Sequence, residues 1–351
     1  MSMSVSTEVK PEAVAAKPSR VKNLARNLAL SVMSFGLCFV LAEVTFRVLG
    51  YGNLEIYSPD PKVYWRLKAN QNCYTKIGRK PVQINSHGTR GAEFQVPKPN
   101  DVVRILCLGD SVTFGWGLSE EETYAKILER RLQEEVKDGR KIEVINAGVN
   151  AWSYPQLSIY LREYGLRFQP DYVVLAGANL WTQFGENSDP EFVKKFMWRV
   201  RLKNFLRRFA LYHYVVEVQL EDFYQKHRTK FMPVDPKQDQ MFKEQQKSDP
   251  DAYFREVIER FCQIAITNGV KPLVLHTPVQ TDLEKGVDGA VLPSKRQVAQ
   301  KLNVPLVDPT EEMKDKTGSL FLEADPVHYN AAGSEIIARH LSDALLTLLR
   351  K

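Results

Sequence analysis

The sequence predicts an α/β protein with a doubly wound, flavodoxin-like domain, in which a five-stranded parallel sheet lies between two helical layers (α/β/α). Beyond residue 101, short apolar runs alternate with amphipathic helical patterns, which is typical of parallel strands joined by crossover helices. The first run, Val102 to Leu108, is apolar almost throughout, as in a strand buried on both faces. A transmembrane helix is predicted before this domain, and a helical insertion within it.

The elements follow in regular order after the first strand. A helix is expected to begin at a capping box formed by Ser119 and Glu122. Residues 50–100 are expected to be an extended lead-in, 101–351 the main domain, and 181–250 its helical insertion. The other predicted strands are 142–145, 172–176, 272–275 and 305–307, and the other predicted helices are 154–164, 253–268 and a closing helix with apolar positions from 336 to 348.

A membrane anchor is predicted near the N-terminus. Asn27 to Ala42 carries no charge, and Glu43 and Arg47, one helical turn apart, are the only charges before Leu49. Residues 27–49 are therefore predicted to span a membrane once. The preceding tail, 1–26, carries a net charge of +3, which predicts a cytoplasmic N-terminus and an extracytoplasmic, periplasmic or outer-face, body. A signal peptide cleaved after Ala42 and a buried core helix are the alternatives.

Composition excludes several classes. With 351 residues, 44% hydrophobic and 26% charged, the chain is neither disordered nor fibrous. The net charge of +6 forms no basic stripe with interleaved aromatic residues, so nucleic acid is not an expected partner. Sequence patterns typical of metal or cofactor binding are also missing, and neither is predicted. Of the four cysteines, only Cys73 and Cys262 are candidates for a disulfide, a question that the sequence leaves open.

Polar residues and glycines cluster where the predicted strands end, which is where ligands bind in such sheets. Each cluster alone is weak, because such residues are also common in turns. Together and in this order, the four clusters resemble the SGNH hydrolase family, also called GDSL-type esterases. The resemblance covers residues 101–350 and extends weakly to 85–91, which looks like a segment of membrane-anchored members. The clusters are Gly109-Asp110-Ser111, Asn146-Ala147-Gly148, Gly177-Ala178-Asn179 and Asp325-Pro326-Val327-His328.

The resemblance implies a catalytic triad. A serine hydroxyl is a weak nucleophile until a base accepts its proton, and an imidazole does this near neutral pH. By resemblance, Ser111 is the nucleophile and His328 is the base. Asp325, three residues earlier, is expected to hold the other ring nitrogen and stabilise the imidazolium.

The resemblance also implies an oxyanion hole, because acyl transfer develops negative charge on the carbonyl oxygen. Its donors would be the backbone N–H groups of Ser111 and Gly148 and the side-chain amide of Asn179. The family commonly has an acid after this asparagine, but Leu180 stands there, which is expected to reshape the loop that aims Asn179.

Residues 192–209 of the insertion are both basic and aromatic, with no acid between 194 and 208. One interpretation is an amphipathic helix that contacts anionic headgroups or covers the active site. The other is an ordinary helix with a solvated cationic face. His276 follows a predicted strand and either lines the site or has a structural role.

The predicted function is that of a membrane-anchored, extracytoplasmic serine esterase. Its expected substrate is an O-acyl ester, O-acetyl included, of a cell-envelope carbohydrate or lipid. An O-acyltransferase that modifies an envelope or exported polysaccharide through the same acyl-enzyme is the nearest alternative. A glycan-binding or scaffold module without activity is the alternative from another class.

Overall fold

The computed structural model describes residues 20–76, 78–177, 190–220, 249, 251–323 and 325–350. The chain divides into two compact units, residues 1–51 and 52–351. In the first unit, helix α1 covers Arg20–Val48 and is long and apolar enough to cross a membrane, by length and composition. Glu43 and Arg47, one helical turn apart, form an ion pair with 2.7 Å between Arg47 Nη2 and Glu43 Oε1. Helix α1 begins at Arg20, seven residues before the uncharged run that starts at Asn27. The last part of the cationic leader is therefore helical as well.

In its described residues, the second unit contains two antiparallel hairpins and one five-stranded sheet. The hairpin strands are β1 (Tyr57–Asp60), β2 (Tyr64–Leu67), β3 (Gln71–Tyr74) and β4 (Pro81–Ile84). The sheet strands are β5 (Val102–Gly109), β6 (Lys141–Gly148), β7 (Tyr172–Leu175), β8 (Lys271–Leu275) and β9 (Leu306–Val307). The hairpins occupy the segment that was expected to be an extended lead-in.

The sheet is parallel throughout, in the order β6-β5-β7-β8-β9. The chain therefore winds in one direction from β5 to β6 and in the other from β5 to β9, which confirms the predicted doubly wound sheet. The register aligns Gly109, the last residue of β5, with Gly148, the last residue of β6. The carboxyl ends of these two strands consequently lie side by side.

Helices cover both faces of the sheet. Their bounds are α2 (Ser111–Phe114), α3 (Tyr124–Glu135), α4 (Tyr154–Glu163), α5 (Pro190–Leu206), α6 (Ala210–Tyr212), α7 (Ala252–Thr267), α8 (Gln280–Lys285), α9 (Leu292–Leu302), α10 (Thr310–Lys314) and α11 (Ala331–Leu349). Apolar residues of α3 and α11 share one core. Those of α4, α7 and α9 share another with the hairpins. The expected helical insertion is present as α5 and α6, followed by a π-helical turn at His213–Gln219.

The capping box forms at the predicted residues, but it caps a 3₁₀ turn that precedes α3 and not α3 itself. Ser119 and Glu122 close a 3₁₀ turn, in which the Ser119 hydroxyl donates to Glu122 Oε2 at 2.6 Å. Thr123 then has extended backbone angles, which end the turn. The side chain of Thr123 accepts from the backbone N–H of Lys126, so Thr123 is the residue that caps α3.

The segment before β5 packs against the edge strand of the sheet. The N–H of Arg90 donates to the Asn146 carbonyl at 3.0 Å, and the N–H of Gly91 donates to the Gln83 carbonyl at 2.9 Å. This pairing covers the carboxyl end of β6, which would otherwise be an open edge. Cys73 and Cys262 are both buried and free, so they do not form a disulfide here.

A buried arginine in the middle of β5 ties several elements together. Arg104 is fully buried, and its Nε donates to Glu143 Oε2 at 2.6 Å on the neighbouring β6. Its other nitrogens donate to the carbonyl oxygens of Gln95 and Phe168. All three nitrogens of the guanidinium therefore have an acceptor, which is what makes its burial tolerable.

We predict that Arg104→Ala lowers the free energy of unfolding by about 3–5 kcal/mol, because removing one partner leaves a carboxylate and two carbonyls without their donor. The measurement is guanidinium-induced unfolding of the full chain in detergent micelles. Arg140→Ala is the control, since Arg140 pairs with Asp138 on the surface, and it should change stability by less than about 0.5 kcal/mol. Equal effects of the two substitutions would contradict the prediction.

Candidate active site

Ser111 is the first residue of the short helix α2, at the tight turn that follows β5. Asp110 precedes it and caps α2, with Oδ1 accepting from the Val112 N–H at 3.0 Å. Gly115 ends the helix in the left-handed conformation (φ 83°), which a residue without a side chain adopts at little cost. The turn therefore places Ser111 directly beyond the carboxyl end of β5, an interior strand of the sheet.

The structure brings the three predicted triad residues into one hydrogen-bonded chain. His328 Nε2 lies 2.8 Å from Ser111 Oγ, and His328 Nδ1 lies 2.6 Å from Asp325 Oδ2. Ser111 and His328 are 217 positions apart in the sequence. They meet because one follows β5 and the other precedes α11, both at the carboxyl edge of the sheet.

The surroundings of Asp325 favour its ionised form. Burial raises the pKa of this carboxyl, but the hydrogen bonds from the His328 ring and from the backbone N–H groups of Val327 and His328 outweigh burial, and the net shift is downward. A carboxylate that accepts at Nδ1 fixes the proton on that nitrogen and leaves Nε2 free to accept from the serine hydroxyl. The Trp116 ring lies against the His328 ring, with centroids 5.9 Å apart.

The structure describes two of the three predicted oxyanion donors, Ser111 and Gly148. Ser111 is the first residue of α2, where a backbone N–H has no acceptor within the helix. The Gly148 N–H donates to Asn146 Oδ1 at 3.1 Å. A side chain at Gly148 would bring its Cβ within 2.2 Å of the Phe114 nitrogen, so glycine is needed for β6 to lie against α2. Asn179 lies outside the described residues, and its role stays a prediction.

An arginine clamp on the turn after Ser111 was not predicted. The buried Arg90 side chain donates to the carbonyl oxygens of Phe114, Gly115 and Leu118 at 2.7, 2.9 and 2.7 Å. These three carbonyls belong to the end of α2 and the loop after it, so the guanidinium holds the shape of the turn that carries Ser111. The only sequence signal was the weak resemblance of residues 85–91 to a family segment, which assigned no role to Arg90.

A strained backbone position follows β6. Ala151 has a positive φ of 64°, a conformation that costs a residue with a side chain roughly 1–2 kcal/mol. Nearby, the Trp152 ring N–H donates to the Trp65 carbonyl at 3.0 Å, which holds this bend against the hairpin β1–β2. Such strain concentrates at functional sites, and Ala151 lies three residues after Gly148 at the edge that carries Ser111.

Ionisable side chains are buried around the turn that carries Ser111. Lys295 of α9 is buried, and its ammonium donates to the Leu275 carbonyl at 2.6 Å. Burial lowers the pKa of Lys295 to about 7, against the opposing attraction of Asp110. Burial likewise raises the pKa of Asp110 to about 6, although the Val112 N–H, His328 and Lys295 lower it.

His276 is not part of the hydrogen-bonded chain at Ser111. Its side chain is buried, and burial lowers its pKa to about 3, with the nearby Lys295 acting in the same direction. A structural role is therefore favoured over a catalytic one. Among the described residues, no group of three His, Cys, Asp or Glu side chains is arranged to hold a metal ion.

Comparison with known proteins gives one family match. The family described as GDSL-like Lipase/Acylhydrolase matches residues 107–336. Among solved structures, a lipase/acylhydrolase from Enterococcus faecalis is 15% identical with a TM-score of 0.42, over 69% of this chain and 95% of that one. The psychrotrophic esterase EstA from Pseudoalteromonas sp. is 14% identical with a TM-score of 0.40, over 71% and 99%. No curated protein matches the chain significantly.

We predict that Lys295→Met flattens the pH dependence of stability between about pH 7 and pH 10. The pKa of Lys295 in the folded chain is about 7 and lies below its unfolded value, so between these values the unfolded chain binds more protons. The stability of the parent should therefore rise with pH in this window, by at most about 1.4 kcal/mol per pH unit from this group. Unfolding free energies at pH 7, 8, 9 and 10 measure the slope.

Lys285→Met is the control, because Lys285 is exposed at the end of α8. Its stability curve should run parallel to that of the parent. A slope in Lys295→Met as steep as in the parent would show that the ammonium is not desolvated in the folded chain.

Proposed function

Because the chain belongs to the GDSL-like lipase/acylhydrolase family and is a carboxylic ester hydrolase of the GDSL type, we propose that Ser111 is its nucleophile, His328 its general base and Asp325 the acid that orients the base. The observation that carries this proposal is the continuous hydrogen-bonded chain from Asp325 through His328 to Ser111, with distances of 2.6 and 2.8 Å. Both distances lie in the range that proton transfer requires.

In the proposed mechanism, Ser111 Oγ attacks the carbonyl carbon of the ester while its proton passes to His328 Nε2. The resulting imidazolium is stabilised by the Asp325 carboxylate and returns this proton to the leaving alcohol as the C–O bond breaks. Water then attacks the acyl-enzyme, again giving up a proton to Nε2, and the acid product leaves with Ser111 reprotonated. The low pKa of Asp325 supports its role as a permanent anion in both steps.

The oxyanion that forms in each step needs donors that are already in place. We propose the N–H groups of Ser111 and Gly148 and the side-chain amide of Asn179. For Gly148, the substrate oxygen would replace Asn146 Oδ1 as the acceptor. Asn146 is buried, and its Nδ2 has no hydrogen-bond partner among the described residues.

We also propose that the enzyme works outside the cytoplasm, tethered by α1, on O-acyl esters of cell-envelope carbohydrate or lipid, O-acetyl esters included. The apolar length of α1 supports membrane insertion. The cationic residues before it support an N-terminus that stays in the cytoplasm. For a domain tethered in this way, the acylated polymers and lipids of the envelope are the ester substrates that lie closest to the active site.

We predict that a fluorophosphonate probe labels the parent chain and that Ser111→Ala abolishes labelling and lowers p-nitrophenyl acetate turnover by at least about 1000-fold. Only an activated serine reacts with such a probe, since the attacking oxygen must lose its proton. Ser319→Ala, which removes an exposed hydroxyl, is the matched control and should be labelled like the parent. Labelling that persists in Ser111→Ala would exclude Ser111 as the nucleophile.

The same assay distinguishes hydrolysis from transfer. Free acetate as the main product, both with and without added oligosaccharide, is the expected result for a hydrolase. Acetylated oligosaccharide as the main product would instead make water the minor acceptor and the chain an acyltransferase.

We predict that Asn179→Ala raises the activation free energy by about 3 kcal/mol, because one oxyanion donor is lost. This corresponds to a fall in kcat of roughly 100-fold or more. KM should change little if the donor acts in the transition state. Asn268→Ala is the control, since Asn268 lies before β8 at the opposite edge of the sheet. Turnover of Asn179→Ala within threefold of the parent would remove Asn179 from this role.

A further inference from the structure

Helix α5 of the insertion has two apolar faces. Phe192 and Phe196 are partly buried and pack against the core of the second unit. Trp198, Leu202 and Phe205 are exposed over 61%, 42% and 54% of their surface. Their spacing of four and three residues places these three side chains in one stripe on the outward face of the helix. An exposed stripe of large apolar residues on a folded unit is a mark of an interaction surface.

Cationic side chains border this outward stripe on both sides. At 100° of rotation per residue about the helix axis, each border lies about 60° from the middle of the stripe, one on either side. The only carboxylate between Pro190 and Leu206 is that of Glu191, in the first turn, 3.8 Å from the ammonium of Lys195. The exposed border residues are Lys194 and Arg201 on one side and Lys195 and Arg199 on the other.

The insertion is held against the residues that open the second unit. The Gly52 N–H donates to His213 Nδ1 at 2.8 Å, and the Tyr57 N–H donates to Asn204 Oδ1 at 3.2 Å. His213 is buried, and burial lowers its pKa to about 4, so the ring stays neutral and Nδ1 can accept. The outward stripe therefore belongs to a helix fixed beside the start of this unit.

Gly52 follows Val48, the last residue of α1, by only four positions. Four extended residues reach at most about 14 Å. With α1 inserted in a bilayer, as proposed above, Gly52 remains close to the bilayer surface. The insertion that binds Gly52 and Tyr57 must then also stay near that surface.

We propose that the outward stripe of α5, formed by Trp198, Leu202 and Phe205, docks into the headgroup region of an anionic phospholipid bilayer. Tryptophan and phenylalanine rings enter this region readily, and the flanking lysines and arginines keep their charged ends among the phosphates. The docking adds a second attachment to that of α1. It rests on the proposed anchoring but not on the proposed chemistry.

The test uses the full chain in nanodiscs that contain brominated lipid, a quencher of tryptophan fluorescence. The difference in emission between the parent and Trp198→Phe reports Trp198 alone. This difference should be quenched at least twofold in discs with 30% phosphatidylglycerol, and less at 0.5 M salt, which screens the cations. Lys194→Glu/Arg201→Glu should lose the quenching. Lys137→Glu/Lys285→Glu changes the net charge equally at other exposed positions and should keep it.

Turnover of p-nitrophenyl acetate in each variant should stay within twofold of the parent, which checks folding and separates this proposal from the proposed chemistry. Trp198 emission that brominated anionic discs do not quench would overturn the docking. So would protection of Trp198 that depends on protein concentration, because a second copy of the chain would then cover the stripe. If the chain fails to enter discs, flotation of the same variants with preformed phosphatidylglycerol vesicles gives the same comparison.

Discussion

The interior position of β5, between β6 and β7, is the constraint on which the site depends. β5 pairs with β6 on one edge and β7 on the other, and all eight of its residues are buried. A strand held on both edges and both faces cannot shift, so the turn after it is fixed as well. Gly109 adds to this, because a Cβ there would lie 2.0 Å from Thr113 Oγ1. The position of the Ser111 hydroxyl is therefore fixed by β5. The loop that carries His328 places Nε2 within hydrogen-bonding distance of this hydroxyl.

Local patterns were sufficient to predict the sheet and most of its helices. An apolar run such as Val102 to Leu108 has few alternatives to a buried strand, and the alternation of runs with helical patterns fixes the topology class. Boundaries were less certain, as Thr123 illustrates. Both Ser119 and Thr123 have side chains able to cap a helix, and only the backbone angles of the folded chain select Thr123.

Buried cations were the features that sequence reasoning missed. Arg90, Arg104 and Lys295 would each be assigned to the surface from sequence, since a cation is rarely buried without partners. Their partners are backbone carbonyls or side chains contributed by distant segments, such as Leu118 for Arg90 and Glu143 for Arg104. Such partners exist only once the sheet has brought those segments together. The meeting of Ser111 with His328 is equally distant in sequence, and it was anticipated only through the resemblance to a family.

The contact of Arg90 with the Ser111 turn bears on how the chain can be divided. The family match begins at residue 107, and a fragment cut there would lack the guanidinium that three carbonyls of the turn accept from. It would also expose the flank of β6 that the Arg90 segment covers. A soluble fragment for crystallisation or inhibitor screening should accordingly start at Gly52, where the second compact unit begins, and not at the border of sequence similarity.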